Sequence, residues 1–248
     1  MLSTICDFLN DFLQIREIED YPNAVNGLQL ENDGRATKIG AAVDASEATI
    51  ELAIGENVDL LFVHHGLFWG GLSPITGSCY RKLQRAISSN LAVYSAHLPL
   101  DLHCELGNNI LLAKALRLPP AESLFWNFKR LGVAVSIELD LPELLKRLRE
   151  VLGRDPWVCP SGPEKVRRIG IVTGAGGNLL QKVAACGIDT FVTGEGPHHT
   201  FALAEELKVN LIFGGHYATE TFGVRALAAR AAAEFKLPWC FLDHPSGL

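Results

Sequence analysis

The sequence of 248 residues predicts an α/β fold built from two related units with mostly parallel strands. Three observations predict it. Short apolar, β-branched runs alternate with helix-period stretches along the whole chain. Titratable residues collect where those runs end. The pattern of the first half recurs in the second at an offset of 130 residues. Such alternation implies right-handed β-α-β crossovers with helices covering the sheet faces.

The opening stretch MLSTICDFLNDFLQ carries apolar residues at helical spacing, with Ser3 as its N-cap. Asp7 and Asp11 within that pattern, and the lack of a basic start, make it an amphipathic helix rather than a secretory leader. Strands are expected near Ile39–Val43, Leu60–His64, Leu91–Ser95, Val133–Ile137, Ile169–Thr173, Thr190–Thr193, Leu211–Phe213 and Trp239–Leu242. Between them fall helices near Ser46–Glu56, Tyr80–Ser88, Leu106–Leu116, Pro142–Leu152, Leu179–Cys186, Thr200–Leu207 and Thr219–Phe235.

The repeat organises these elements. Ile39-Gly40 and Asp59 recur as Ile169-Gly170 and Asp189, and DLLFVHHG (59–66) aligns with DTFVTGEG (189–196). NLAVYSAH (90–97) aligns with NLIFGGH (210–216) across a one-residue gap, and the first half carries an insertion over GLFWGGLSPITG (66–77). The expected organisation is an N-terminal α/β unit over 1–118, a connecting segment over 119–160 and a C-terminal α/β unit over 161–248, packed as one structural domain around a shared site.

Composition narrows the partners. Lys plus Arg number 22 against 28 Asp plus Glu, a net charge of -6, and no basic run exceeds Arg167-Arg168. That argues against nucleic acid, whose phosphates draw a basic face. No apolar run approaches the roughly 18–20 residues a bilayer demands, so no membrane partner is expected. The six cysteines are scattered without a CxxC pair, as in reduced thiols of a cytoplasmic protein.

In open α/β sheets ligands gather at the carboxyl ends of strands. His64-His65 end one strand, and Glu195, His198 and His199 follow its counterpart in the repeat; His97 and His216 end the two third strands. Imidazole nitrogen and carboxylate oxygen together suit Zn, Fe, Mn, Co or Ni. For both histidines of the pair to reach one cluster the chain must turn at His65, a turn Gly66 allows. Asp101 follows Pro99, which biases Leu98 away from helix, so the residue is either a turn or capping Asp or a donor beyond the strand end. Should a helix start by His216, Glu220 lies one turn on, on the same face; helix capping by Glu220 is the competing reading. Thr173-Gly174-Ala175-Gly176-Gly177-Asn178 could cradle phosphate. A dinucleotide fingerprint would need a third glycine where Leu179 stands, however, and no P-loop lysine follows, so a tight turn is the better reading. The apolar loop Phe68-Trp69-Gly70-Gly71 beside the histidines either walls a cavity or lines a subunit contact.

VHHGLFW, SAHLPLD, TGEGPHHT and GGHYATE, in this order over essentially the whole chain, resemble the signatures of the NIF3-like family, whose members are called GTP cyclohydrolase 1 type 2 homologues. The resemblance implies a NIF3-like fold and a dinuclear site of two divalent ions per chain, with ligands at His64, His65, Asp101, His216 and Glu220. It also implies a hexameric ring of identical chains. Some family members carry an extra mid-chain domain, for which this chain is too short. His97, Glu195 and His199 are then candidates for proton transfer or for supporting the ligands; no organic cofactor is expected. Two readings of function follow: a metal-dependent hydrolase acting on a nucleotide or heterocycle, or a non-enzymatic metal carrier, store or insertion factor.

Overall fold

The computed structural model describes residues 1–71, 73–126 and 129–248. Leu72, within the expected insertion over 66–77, and residues 127 and 128, within the expected connecting segment, lie outside them. The chain forms a mixed α/β fold with two sheets, divided into two compact units: Met1–His103 with Gly223–His244, and Cys104–Phe222 with Pro245–Leu248.

The first unit runs α1 (Leu2–Phe12), β1 (Gly27–Leu30), β2 (Ile39–Asp44), α2 (Glu47–Gly55), β3 (Leu60–His65), α3 (Gly77–Ser88), β4 (Ala92–Ser95) and α4 (Leu98–Asp101). Its sheet has the order β1-β4-β3-β2 and is closed by β11 (Trp239–Phe241) from the far end of the chain. β4, β3, β2 and β11 are parallel, and β1 adds an antiparallel edge to β4. The strands read as nearly continuous apolar runs because helices cover them: Ala42, Ile50, Ala53, Leu61, Val63, Val93 and Leu242 form one buried cluster. α2 starts where expected, with a reciprocal cap between Ser46 and Thr49. The N-terminal helix starts earlier than Ser3 suggested, with Met1 as its N-cap and Leu2, Ile5, Cys6 and Leu9 buried.

The second unit runs α5 (Asn108–Ala115), β5 (Glu122–Trp126), β6 (Lys129–Asp140), α6 (Leu141–Leu152), β7 (Trp157–Pro160), β8 (Lys165–Val172), a 3₁₀ turn at Gly176–Leu179, α7 (Leu180–Ala185), β9 (Thr190–Thr193), α8 (Thr200–Leu207), β10 (Asn210–Phe213) and the first turns of α9 (His216–Phe235). Its six strands lie in the order β5-β6-β8-β9-β10-β7. The middle three, β8, β9 and β10, are parallel; the others add antiparallel edges. Residues 119–160, expected to connect the units, thus supply three strands and a helix of the second sheet. The C-terminal strand expected in the second unit joins the first sheet instead, with Trp239 opposite Ile39. Periodicity identifies a strand but carries no information about its partner, so both misplacements have one cause.

The repeat is visible in the hydrogen bonding. Ile39 pairs with Leu60 as Ile169 pairs with Thr190, and Gly40 with Leu61 as Gly170 with Phe191. Asp59 accepts from the backbone N–H of Thr37 and Lys38; Asp189, 130 residues on, accepts from those of Arg167 and Arg168. Each carboxylate holds the backbone just before the stretch where the neighbouring strand begins to pair, at Ile39 in one half and Ile169 in the other, so the spacing recurs in the two halves of this chain.

Candidate metal centre

In the first unit, β3 ends on His64 and His65, and β4 leads into His97. All three imidazoles are buried, and each offers a ring nitrogen within 4.8 Å of those of the other two. Their Nδ1 atoms are spoken for. His64 Nδ1 donates to the Ala96 carbonyl at 2.9 Å; His65 Nδ1 lies 2.8 Å from Asp44 Oδ1, and His97 Nδ1 lies 2.8 Å from Asp20 Oδ1. A carbonyl can only accept, so the neutral His64 tautomer carries its proton on Nδ1 and presents a lone pair at Nε2. That Nε2 faces Asp101 Oδ2 at 3.5 Å.

Asp101 closes α4, a single helical turn that takes in Leu98, the residue Pro99 was expected to bias away from helix. Pro99 is tolerated there because first-turn N–H groups have no intrahelical acceptor. A turn does follow β3, with the Gly66 carbonyl accepting from Trp69 N–H at 3.3 Å, and Gly66 serves by its size as well: an added Cβ would lie 2.2 Å from Gln29 Nε2, and Gln29 Oε1 accepts from Leu67 N–H. Trp69 lies against the imidazoles, its ring 4.6 Å from that of His65 and 4.5 Å from that of His97, so the apolar loop forms a wall over the histidines.

In the second unit, α9 begins at His216, which puts Glu220 one turn away on the same face. His216 Nε2 lies 3.0 Å from Glu220 Oε2, and Nδ1 lies 2.8 Å from Glu195 Oε1. Burial alone would push the His216 pKa down, but the hydrogen bond and charge of Glu220, followed by those of Glu195, outweigh it and raise it to about 9. A proton at Nε2 thus does there what any cation between an imidazole and a carboxylate would do. His199, the remaining candidate for proton transfer, is exposed at the N-cap of α8, and His198 beside it is exposed too.

These donors fit divalent cations. Each unit holds an imidazole, buried at His64 and half-buried at His216, whose Nδ1 is committed to an oxygen and whose Nε2 confronts a buried carboxylate. Two lone pairs facing each other out of water require a positive charge between them. Metal-bound histidines are typically oriented through the other ring nitrogen by a carboxylate or a carbonyl, as all four are here. Two of those orienting residues, Asp20 and Asp44, were missed in the sequence. Asp20 falls in an aperiodic stretch with no local signal. Asp44 ends β2 opposite His65 and could have been found from that strand-end position, where Ala45-Ser46 invites a helix-capping reading instead.

The fold and site define an α/β protein with histidine–carboxylate donor sets at the strand ends of two repeated units. The chain belongs to the Duf34/NIF3 (NGG1p interacting factor 3) family, whose model matches residues 1–246. It is 42% identical over 245 residues to the GTP cyclohydrolase 1 type 2 homolog of Deinococcus radiodurans, covering 97% of this chain and 92% of that one. The protein of the same name from Archaeoglobus fulgidus is 38% identical, with 100% and 99% covered. Among solved structures, TTHA1606 from Thermus thermophilus superposes with a TM-score of 0.91 at 42% identity, over 99% of both chains. Among the described residues, no helix is long and apolar enough to cross a membrane.

Proposed function

We propose that this chain binds a pair of divalent metal ions through His64, His65 and Asp101 of the first unit and His216 and Glu220 of the second, and that the loaded protein is a hydrolase of a nucleotide or related heterocycle. The observation that carries the reading is the confrontation of an imidazole Nε2 with a buried carboxylate in each unit, 3.5 Å at His64–Asp101 and 3.0 Å at His216–Glu220. Divalent ions bound there would supply Lewis-acid polarisation of a substrate oxygen and a lower pKa for water. Zn, Fe, Mn, Co and Ni all match nitrogen and oxygen donors.

The chain's own residues have distinct parts in this reading. Asp44 and Glu195 hold the Nδ1 sides of His65 and His216 so that both Nε2 atoms point inward within their units. Asp20 does the same for His97, whose Nε2 can then accept and return a proton. Trp69 covers the His65 and His97 rings and limits water there. The substrate class follows the name shared by the relatives from Deinococcus radiodurans and Archaeoglobus fulgidus, and opening of the GTP ring is its specific version. In this reading the protein works as a hexameric ring, with a mass in solution about six times the 27.0 kDa of one chain, and in the cytoplasm, where its six free thiols stay reduced.

The test is to incubate metal-loaded protein with GTP and a small nucleotide panel and to follow formate and ring-opened product. Turnover that chelation abolishes is the expected result. Tight metal binding with no turnover on any member of the panel would refute the hydrolase and leave metal carriage or storage as the function.

A further inference from the structure

The glycine turn after β8 lies in the second unit with the His216–Glu220 pair, and one residue in it touches every part of that donor set. Gly174 has φ +67°, a conformation L side chains rarely adopt. Its N–H donates to Thr219 Oγ1 at 3.1 Å, which ties it to the first turn of α9. Its carbonyl accepts from the N–H of Gly194 at 2.9 Å and of Glu195 at 3.0 Å, which fixes the loop carrying the Glu195 carboxylate. The face where a side chain would stand is filled by Glu220: an added Cβ would lie 2.0 Å from Glu220 Oε1, 3.0 Å from its Cδ and 3.6 Å from His216 Nε2.

The internal repeat shows what this position can otherwise hold. At an offset of 130, residue 174 corresponds to Asp44, which pairs with His65 in the sheet register and holds that imidazole by its side chain. Residue 195 corresponds to His65, so the second half has exchanged the imidazole for a carboxylate and the carboxylate for bare backbone. A side chain at 174 would occupy the space the Glu220 carboxylate needs to face His216.

We infer that Gly174 is a positioning residue for the Glu220–His216–Glu195 group: its missing side chain sets where the Glu220 carboxylate stands. The inference rests on the metal-binding function proposed above. Gly187 supplies the matched control, since it has φ +77° yet an added Cβ there comes no nearer than 3.7 Å to any atom, the Arg168 Nη1. Gly174→Ala and Gly187→Ala therefore impose similar backbone strain, and only the first collides with Glu220.

The experiment compares Gly174→Ala, Gly187→Ala, Glu220→Ala and the double variant Gly174→Ala/Glu220→Ala in the full chain. Thermal melts are recorded on metal-free protein, and Co²⁺ is titrated by absorption. Gly174→Ala should melt below Gly187→Ala and bind Co²⁺ roughly 10–100-fold more weakly than the native protein, the range expected when a metal ligand loses its orientation. Gly187→Ala should stay within about twofold of native affinity, in the range of a change remote from the ligands. The double variant should melt below Glu220→Ala by no more than Gly187→Ala melts below the native protein, because the atom the new methyl strikes is gone and only the backbone strain remains. Additive losses in the double variant, or equal behaviour of the two glycine variants, overturn the inference. Should Gly174→Ala fail to fold, recovery of a cooperative melt in the double variant supports the inference and continued failure overturns it. If the native protein binds no Co²⁺, the metal-binding function falls while the melts still decide the part of Gly174.

Discussion

The buried Asp20 carboxylate gives the most quantitative prediction, because its partners come from distant parts of the first unit. It accepts from Asn26 Nδ2 at 2.8 Å, from His97 Nδ1 at 2.8 Å and from the Leu98 N–H at 2.9 Å, while its own side chain is 6% exposed. Asp20→Ala leaves these three donors, and the solvent-exposed Tyr21 N–H at 2.7 Å, without their acceptor. Hydrogen bonds to a charged group contribute about 1.5–3 kcal/mol each, and water entering beside the exposed Tyr21 offsets part of that. A net loss of about 3–5 kcal/mol matches the cost of breaking a buried pair by removing one partner. At roughly 2–4 °C per kcal/mol for a chain of this size, the transition of the first unit should fall by roughly 6–20 °C in metal-free protein followed by circular dichroism. Asp20→Asn, which keeps one acceptor oxygen but turns an amide toward donors, should lie between Ala and the native residue. Burial tends to raise the Asp20 pKa, yet the hydrogen bond and charge of His97, with Asn26 and Leu98, hold it below the usual carboxylate range. A depressed folded pKa means its stabilisation is present above the ordinary value near 3.9 and is lost as pH falls through the folded one, so Asp20→Asn should flatten the acid limb of the stability curve. A melt of Asp20→Ala within about 1 °C of native would refute this reasoning, because a shift that small corresponds to well under 1 kcal/mol.

Other outcomes follow from the same contacts. Burial, with Asp7 nearby, raises the Cys6 thiol to about 11, which leaves about one thiolate in a thousand at pH 8. Iodoacetamide mass mapping of native protein should therefore label exposed Cys104 quickly and Cys6 only after denaturation; equal rates would contradict the burial of α1. A raised folded thiol pKa also means stability is complete below the unfolded value near 9 and declines as pH climbs toward 11, a decline Cys6→Ala should lessen in urea melts at alkaline pH. The twin carboxylates of the repeat should behave alike: Asp59→Ala and Asp189→Ala each free two backbone N–H groups and should each cost about 1–3 kcal/mol by urea denaturation, whereas a cost at one site alone would break the structural equivalence of the two halves.

Much of this site was legible in the sequence because its chemistry is tied to strand ends. His64, His65, His97 and His216 could be placed from where apolar runs stop, and the His216–Glu220 pair from four-residue spacing once a helix begins at 216. The 130-residue offset announced the two related units before any strand pairing was known. What escaped depends on tertiary contact. Asp20 reaches His97 across 77 residues of sequence, and no local pattern marks a carboxylate that will be buried there. β11 looks like any short apolar run, and only the open edge beside Ile39 decides that it closes the first sheet. Gly174 read simply as part of a turn. Its larger part, leaving room for Glu220, requires knowing that residues 174 and 220 meet.

The central claim, that these imidazoles and carboxylates hold divalent ions, is tested most directly by elemental analysis of the purified full chain by plasma mass spectrometry, beside His64→Ala and His216→Ala variants shown to be folded by circular dichroism. The account predicts about two divalent ions per native chain, the number a paired site holds, and loss of both in either variant. Native protein free of transition metal after equilibration with Zn²⁺, Co²⁺ or Mn²⁺, or variants that retain full occupancy, would contradict it.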